Sequence, residues 1–183
     1  GESGSGKSSA AGAFVRLIAA AGIIMFNGHD FLSLSGSSLR AARARVQLIF
    51  QDAGSSLNPR LSVADLIREG LDVHHPRADI KKRVVDVLKA VGLNTKLLNR
   101  YPHELSGGQK TRIALARGLI LEPAVLILDE VTASLDVRTQ RQIITLLVEL
   151  QRQLKLAYLF ISHDLKLIRA IADDVIILKD GCV

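Results

Sequence analysis

The chain opens on GESGSGKSS, residues 1–9, and this stretch narrows the possible folds more than any other. It fits G-x-x-x-x-G-K-[ST] at every fixed position: Gly1, Gly6, Lys7 and Ser8. Glycines there let successive backbone N–H groups curl around an oxyanion, and a helix starting at Lys7 aims its positive end at the same charge. With Glu2, Ser3, Gly4, Ser5 and Ser9 completing the loop, the segment reads as a phosphate cradle. Lys7 reaches the outer phosphates of a nucleotide and Ser8 offers its hydroxyl to Mg2+. A Gly/Ser-rich linker could match so short a pattern, but the Ala-rich run that follows at once favours the cradle. Such a loop hangs from a strand, and no residue precedes Gly1. The sequence is therefore read as a fragment whose N-terminal strands are missing.

The rest of the chain alternates between two textures. Residues 6–20 read as a helix, 23–27 (IIMFN) as a strand with Asn27-Gly28 as its turn, and 46–50 (VQLIF) as a second strand. Residues 52–60 are rich in Gly, Ser, Asn and Pro and read as loop. Amphipathic helices follow: apolar residues recur at 63, 66, 67 and 71, then at 80, 84, 87, 88 and 91, with Gly92 as a stop. Strand-like runs return at 124–129, 156–162 and 174–179, separated by helical stretches at 137–154 and 164–173. Buried strands alternating with helices predict an α/β fold with a mostly parallel sheet covered on both faces. Residues 9–26 are apolar enough to imitate a signal peptide, but Arg16 and Gly22 break the run into a helix and a strand. No other window comes close to the length of a bilayer span.

Two further stretches carry chemistry. Val125 to Leu128 run into Asp129-Glu130, and a buried strand ending in adjacent carboxylates is costly without a cation or hydrogen bonds. Parallel sheets deliver strand ends to the ligand crevice, so Asp129 is read as holding Mg2+ and Glu130 as orienting or deprotonating an attacking water. A polar turn after the strand is the alternative. The second stretch is Leu105-Ser106-Gly107-Gly108-Gln109. Ser106 and Gln109 form a capping box for a helix, which leaves Gly107 and Gly108, poor helix formers, unexplained. Bare N–H groups there would suit a second phosphate-binding surface.

Taken together, these residues resemble the ATPase domains of ABC transporters. LSGGQ is similar to their signature motif, GESGSGKS to their Walker A and VLILDE to their Walker B. Gln51 in LIFQD matches the Q-loop, Ser134-Leu135-Asp136 the D-loop and His163 in ISHDL the switch histidine. The resemblance implies a P-loop NTPase with an inserted α-helical subdomain. Residues 1–61 and 124–183 would form a RecA-like core, and 62–123 the helical part with the signature helix. It implies ATP and Mg2+ as ligands, Gln51 on the metal and water, and His163 sensing the terminal phosphate. Ser106, Gly107, Gly108, Gln109 and Asp136 would complete the ATP site of a second, facing ATPase domain. Without the resemblance, Ser162-His163-Asp164 could simply cap the next helix.

Within the family, LIFQDAGSSLNPRLSV resembles the dipeptide, oligopeptide and nickel importer branch, and most of all the second half of tandem peptide-importer ATPases of the microcin C type. That implies integral membrane permease subunits as partners, an extracytoplasmic solute-binding protein indirectly, and a peripheral place on the cytoplasmic face of the inner membrane. Residues 52–75 would touch the permease. Three departures stand out: Val131 replaces a proline, Lys110-Thr111 replaces a more usual polar pair, and the adenine-stacking aromatic is absent. The +6 charge would suit a ribosome- or DNA-handling ABC ATPase. No aromatics interleave the arginines for base stacking, and 52–104 holds no long heptad array. Nucleic acid is therefore not expected as a partner. Lone Cys182 excludes a disulfide within the chain.

Overall fold

The computed structural model describes residues 5–52, 54–74 and 79–182. Helix α1 (Lys7–Phe14) is shorter than the expected 6–20. Arg16 adopts a left-handed φ of 56°, Leu17 N donates back to Gly12 O at 2.8 Å and Arg16 N to Ala13 O at 3.0 Å. This is a Schellman ending, which consumes the last helical carbonyls. Arg43 closes the neighbouring ones, donating to Val15 O at 3.2 Å and Arg16 O at 2.8 Å. The expected strand at 23–27 contracts to β1 (Met25–Phe26), paired antiparallel with β2 (His29–Asp30). Asn27 and Gly28 both have positive φ, 49° and 80°, as a tight two-residue hairpin turn requires.

Helix α2 (Gly36–Arg45) was not anticipated; it leads directly into β3 (Val46–Ile49). The amphipathic region folds as α3 (Val63–His74) and α4 (Ile80–Ala90). Helix α3 buries Val63, Leu66, Ile67 and Leu71, the positions picked out by periodicity. Helix α4 buries Val84 and Leu88, and the stop at Gly92 holds. Then come α5 (Gly107–Leu119), β4 (Val125–Asp129), α6 (Val137–Leu154), β5 (Ala157–Ile161) and α7 (Leu165–Ile171).

The three longer strands form a parallel sheet in the order β3-β4-β5, with Ile49 beside Leu128 and Asp129 beside Ile161. The strand period of two explains why β4 is apolar throughout. Leu126 and Leu128 enter the main core with Ile113, Leu115, Ile143 and Leu147, while Ile127 enters a second core with Ala11, Val15 and Phe31. The sheet is thus covered by α5 and α6 on one face and by α1 on the other.

The strand expected at 174–179 does not form. Only an isolated bridge between Lys179 and Cys182 is present, and Val175, Ile176 and Ile177 are 56%, 69% and 67% exposed. An apolar run becomes a strand only when it lies alongside another strand, and among the described residues, 174–179 are laddered to none.

Candidate functional site

The parallel register assembles the site. Gln51 lies two residues beyond β3, Asp129-Glu130 at the end of β4, and His163 two residues beyond β5. All three leave the sheet at its C-terminal end. Glu130 N donates to Ile161 O at 3.0 Å, which carries the β4–β5 ladder one step further. Its φ of 47° is unusual for a glutamate and marks the turn as held by its surroundings. Both carboxylate oxygens are engaged. Gln51 Nε2 donates to Oε2 at 3.1 Å, and His163 Nδ1 lies 3.1 Å from Oε1. The helix-capping alternative for Ser162-His163-Asp164 is resolved by a division of labour. Asp164 caps α7 by accepting from Lys166 N at 2.8 Å, leaving His163 to face Glu130.

Of the expected phosphate loop, Gly1, Glu2, Ser3 and Gly4 lie outside the described residues. The remainder is described. Ser5 is buried, Gly6 has φ 90° ahead of α1, Lys7 Nζ donates to Ser5 Oγ at 3.0 Å, and Ser8 and Ser9 are exposed on the first turn. Asp129 comes up beneath them. It is 5% exposed, and Ser8 lies close enough to influence its carboxyl. Its Oδ1 is buried with no hydrogen-bond partner. Burial pushes the carboxyl above its ordinary value of 3.8; Ser8 opposes this, Glu130 adds to it and Lys7 opposes it. A buried acceptor left unmatched next to a hydroxyl is what a divalent cation would satisfy, so the donor set fits Mg2+. Among the described residues no group of three or more His, Cys, Asp or Glu could hold a metal. A Mg2+ ion here would take its other oxygens from phosphate and water.

The remaining expected residues form a second cluster. Ser106 Oγ accepts from Gln109 N at 3.3 Å and Gln109 Oε1 accepts from Ser106 N at 2.9 Å, the full capping box of α5. Asp136 caps α6, accepting from Arg138 N, Thr139 N and Thr139 Oγ1 at 3.0, 3.0 and 2.6 Å. These bonds, the Thr139 hydroxyl first, hold the Asp136 carboxyl below its ordinary range. The glycines have a packing reason that sequence reasoning missed. A Cβ on Gly108 would stand 2.7 Å from Thr139 Cγ2, and one on Gly107 would stand 3.4 Å from Leu135 Cδ2. Close approach of α5 to the start of α6 therefore requires Gly108 by itself. The Asp136-x-x-Thr139 spacing is the signal that could have brought Thr139 to notice. Thr111 Oγ1 donates back to Gly107 O at 3.2 Å, and Val131 is 3% exposed in the main core.

The family model described as ABC transporter matches residues 1–133. The chain belongs to the ABC transporter family of ATPase domains. It is 52% identical to an ABC transporter ATP-binding protein, YejF, of Escherichia coli over 99% of its own length and 35% of that protein's. It is 44% identical to the oligopeptide transport ATP-binding protein OppF of Salmonella typhimurium, over 99% of the chain and 55% of that protein. The chain thus spans between about a third and just over half of these two ABC relatives. Among solved structures it resembles cbiO1 of Clostridium perfringens, part of an ABC transporter complex, with TM-score 0.87 and 33% identity over 100% of the chain and 72% of the other. It also resembles the ATP-binding cassette MJ0796 in a dimeric post-hydrolysis state bound to ADP and Pi, with TM-score 0.86 and 29% identity over 100% and 80%. The P-loop NTPase fold expected of an ABC ATPase domain is the fold observed. No helix among the described residues is long and apolar enough to cross a membrane.

Proposed function

We propose that this domain hydrolyses ATP to drive import of peptides or related small solutes. The observation that carries the reading is the Glu130 carboxylate held between Gln51 and His163, beside the buried, unmatched Oδ1 of Asp129. Glu130 orients a water on the terminal phosphate and takes its proton; Gln51 and His163 keep the carboxylate in place. Residues 1–9 cradle the phosphates, with Lys7 on the outer ones. Ser8, Asp129 and Gln51 would hold Mg2+, which supplies charge neutralisation on phosphate oxygens when bound.

A single copy of this arrangement uses only half of its phosphate-facing groups. Ser106, Gly107, Gly108, Gln109 and Asp136 then serve the ATP of a facing ATPase domain, a reading supported by the dimeric cassette with ADP and Pi. We take 1–61 and 124–183 as the RecA-like core and 62–123 as the helical subdomain. Residues 52–75 contact membrane permease subunits, and the domain sits peripherally on the cytoplasmic face of the inner membrane. The oligopeptide transport name carried by OppF supports peptide import.

The test is ATP turnover by the full-length protein assembled with its permease in vesicles. Peptide-loaded solute-binding protein should raise turnover. Turnover that ignores peptides and rises with RNA would replace this reading with a ribosome-associated one.

A further inference from the structure

At the end of the sheet opposite Gln51 and Glu130, two cavities of about 580 and 630 Å³ share the side chains of Arg45, Arg83 and Glu122. Arg45 stands just before β3, and Glu122 stands just ahead of β4. A strand of four or five residues therefore separates them from the nucleotide end, on the order of 15 Å.

The larger cavity is strongly one-signed. Arg40, Arg45 and Arg83 line it together with His74 and Ser37, and Glu122 is the lone carboxylate. Arg83 Nη2 donates to Ile120 O at 3.0 Å and to Glu122 Oε1 at 2.7 Å. Arg45 Nη1 donates to Glu122 O at 2.8 Å. Arg83 is thus fixed on the C-cap carbonyl of α5 and Arg45 on a carbonyl of the loop that follows it, each through one nitrogen, with further donors left over. Helix α2 presents Arg40 exposed to the same cavity, and it has no acceptor among the described residues. The Glu122 side chain is 78% exposed and already committed to Arg83.

The carbonyl bonds account for Arg45 and Arg83 as residues that hold the α5–β4 connection, but not for Arg40. Three guanidiniums around one cavity repel one another, and pre-oriented forks of this kind match the oxygens of a phosphate. We propose that this cavity is a binding site for a phosphate-bearing anion, separate from the nucleotide site. Arg40 supplies the uncommitted fork, and Arg45 and Arg83 the fixed ones. Because Arg83 holds the C-cap carbonyl of α5, whose other end carries Ser106, an anion here bears on the helix that presents the signature residues.

The experiment uses the full-length protein carrying Lys7→Ala, so that the nucleotide loop is disabled and failure here is distinct from failure of the ATPase reading. Pyrophosphate binding is followed by calorimetry. Co-sedimentation is measured with vesicles of phosphatidylglycerol in phosphatidylcholine, against phosphatidylcholine alone. Binding of pyrophosphate identifies a soluble source of phosphate; selective binding of the anionic vesicles alone identifies a lipid headgroup. In either case Arg40→Ala should weaken binding roughly tenfold or more, the loss of a charge-assisted bond, and Arg40→Lys should restore part of it. Arg40 is exposed, so an unchanged melting curve should accompany the substitution. Binding of neither probe, or equal binding by Arg40→Ala, would overturn the proposal.

Discussion

Gln51 Nε2 lies 3.1 Å from Glu130 Oε2, a hydrogen bond across 79 positions of sequence that ties the segment after β3 to the end of β4. The loop proposed to meet the permease begins directly after Gln51, so this bond links that loop to the proposed catalytic carboxylate. Gln51→Ala removes the donor to Glu130 Oε2 without touching the phosphate loop. Turnover should fall roughly 10- to 100-fold, in keeping with a hydrogen bond to a charged group. The apparent KM for ATP should stay near its original value. An unchanged kcat would mean that Gln51 does not hold Glu130 in the working enzyme.

Much of this arrangement was legible in the sequence, and the reasons differ by residue. Helix α6 runs over 137–154 as expected, because Asp136 caps its start and its apolar positions keep one period. The apolar run through Leu128 into Asp129-Glu130 announced a buried strand with a costly ending. What spacing alone could not give is the meeting of His163 with Glu130, which depends on the parallel register of Asp129 with Ile161. Two local expectations failed and one helix went unread, each for a local reason. Arg16 took a left-handed φ and ended α1 early. Ser35 and the arginine-rich stretch behind it formed α2 with too few apolar residues to show a stripe. Residues 174–179 have strand composition but no strand beside them, and composition does not report a partner.

Gly108 offers a test of the packing beneath the signature residues. Gly108→Ala would bring its Cβ to 2.7 Å from Thr139 Cγ2, so either α5 or α6 must move. Overpacking of this kind costs about 1–3 kcal/mol. Thr139→Ser removes the offending methyl and keeps the hydroxyl that serves Asp136. Urea unfolding of the two single variants and the double variant should show the serine recovering most of the loss. Strictly additive effects would place the strain elsewhere.

Asp136 sets a pH dependence with a definite sign. The Thr139 hydroxyl and the backbone N–H groups depress its folded-state pKa below the ordinary 3.8. A depressed carboxylate contributes stability that is fully present above the unfolded value and disappears as pH falls through the folded one. The stability difference between the unsubstituted protein and Asp136→Asn should therefore be flat from neutral pH down to about 4–5, then shrink below the unfolded value. A difference that persists unchanged at pH 2 would show that the charge of Asp136 contributes nothing.

The facing-domain reading is testable by complementation. In a mixed assembly, one domain carries Ser106→Arg and the other Lys7→Ala. If each site joins the phosphate loop of one domain to the signature of the other, both lesions fall in the same site and the second site stays intact. One ATP should be retained per pair of domains. Loss of both would mean that Ser106 and Lys7 serve the same nucleotide within one domain.

Glu130 bears the central claim. In the full-length protein, Glu130→Gln keeps a side chain of the same length but cannot take a proton from water. ATP binding should persist, and hydrolysis under single-turnover conditions should slow by roughly 10²–10⁴-fold. Hydrolysis at the unsubstituted rate would contradict the assignment of Glu130 as the base and, with it, the mechanism built on Gln51, Glu130 and His163.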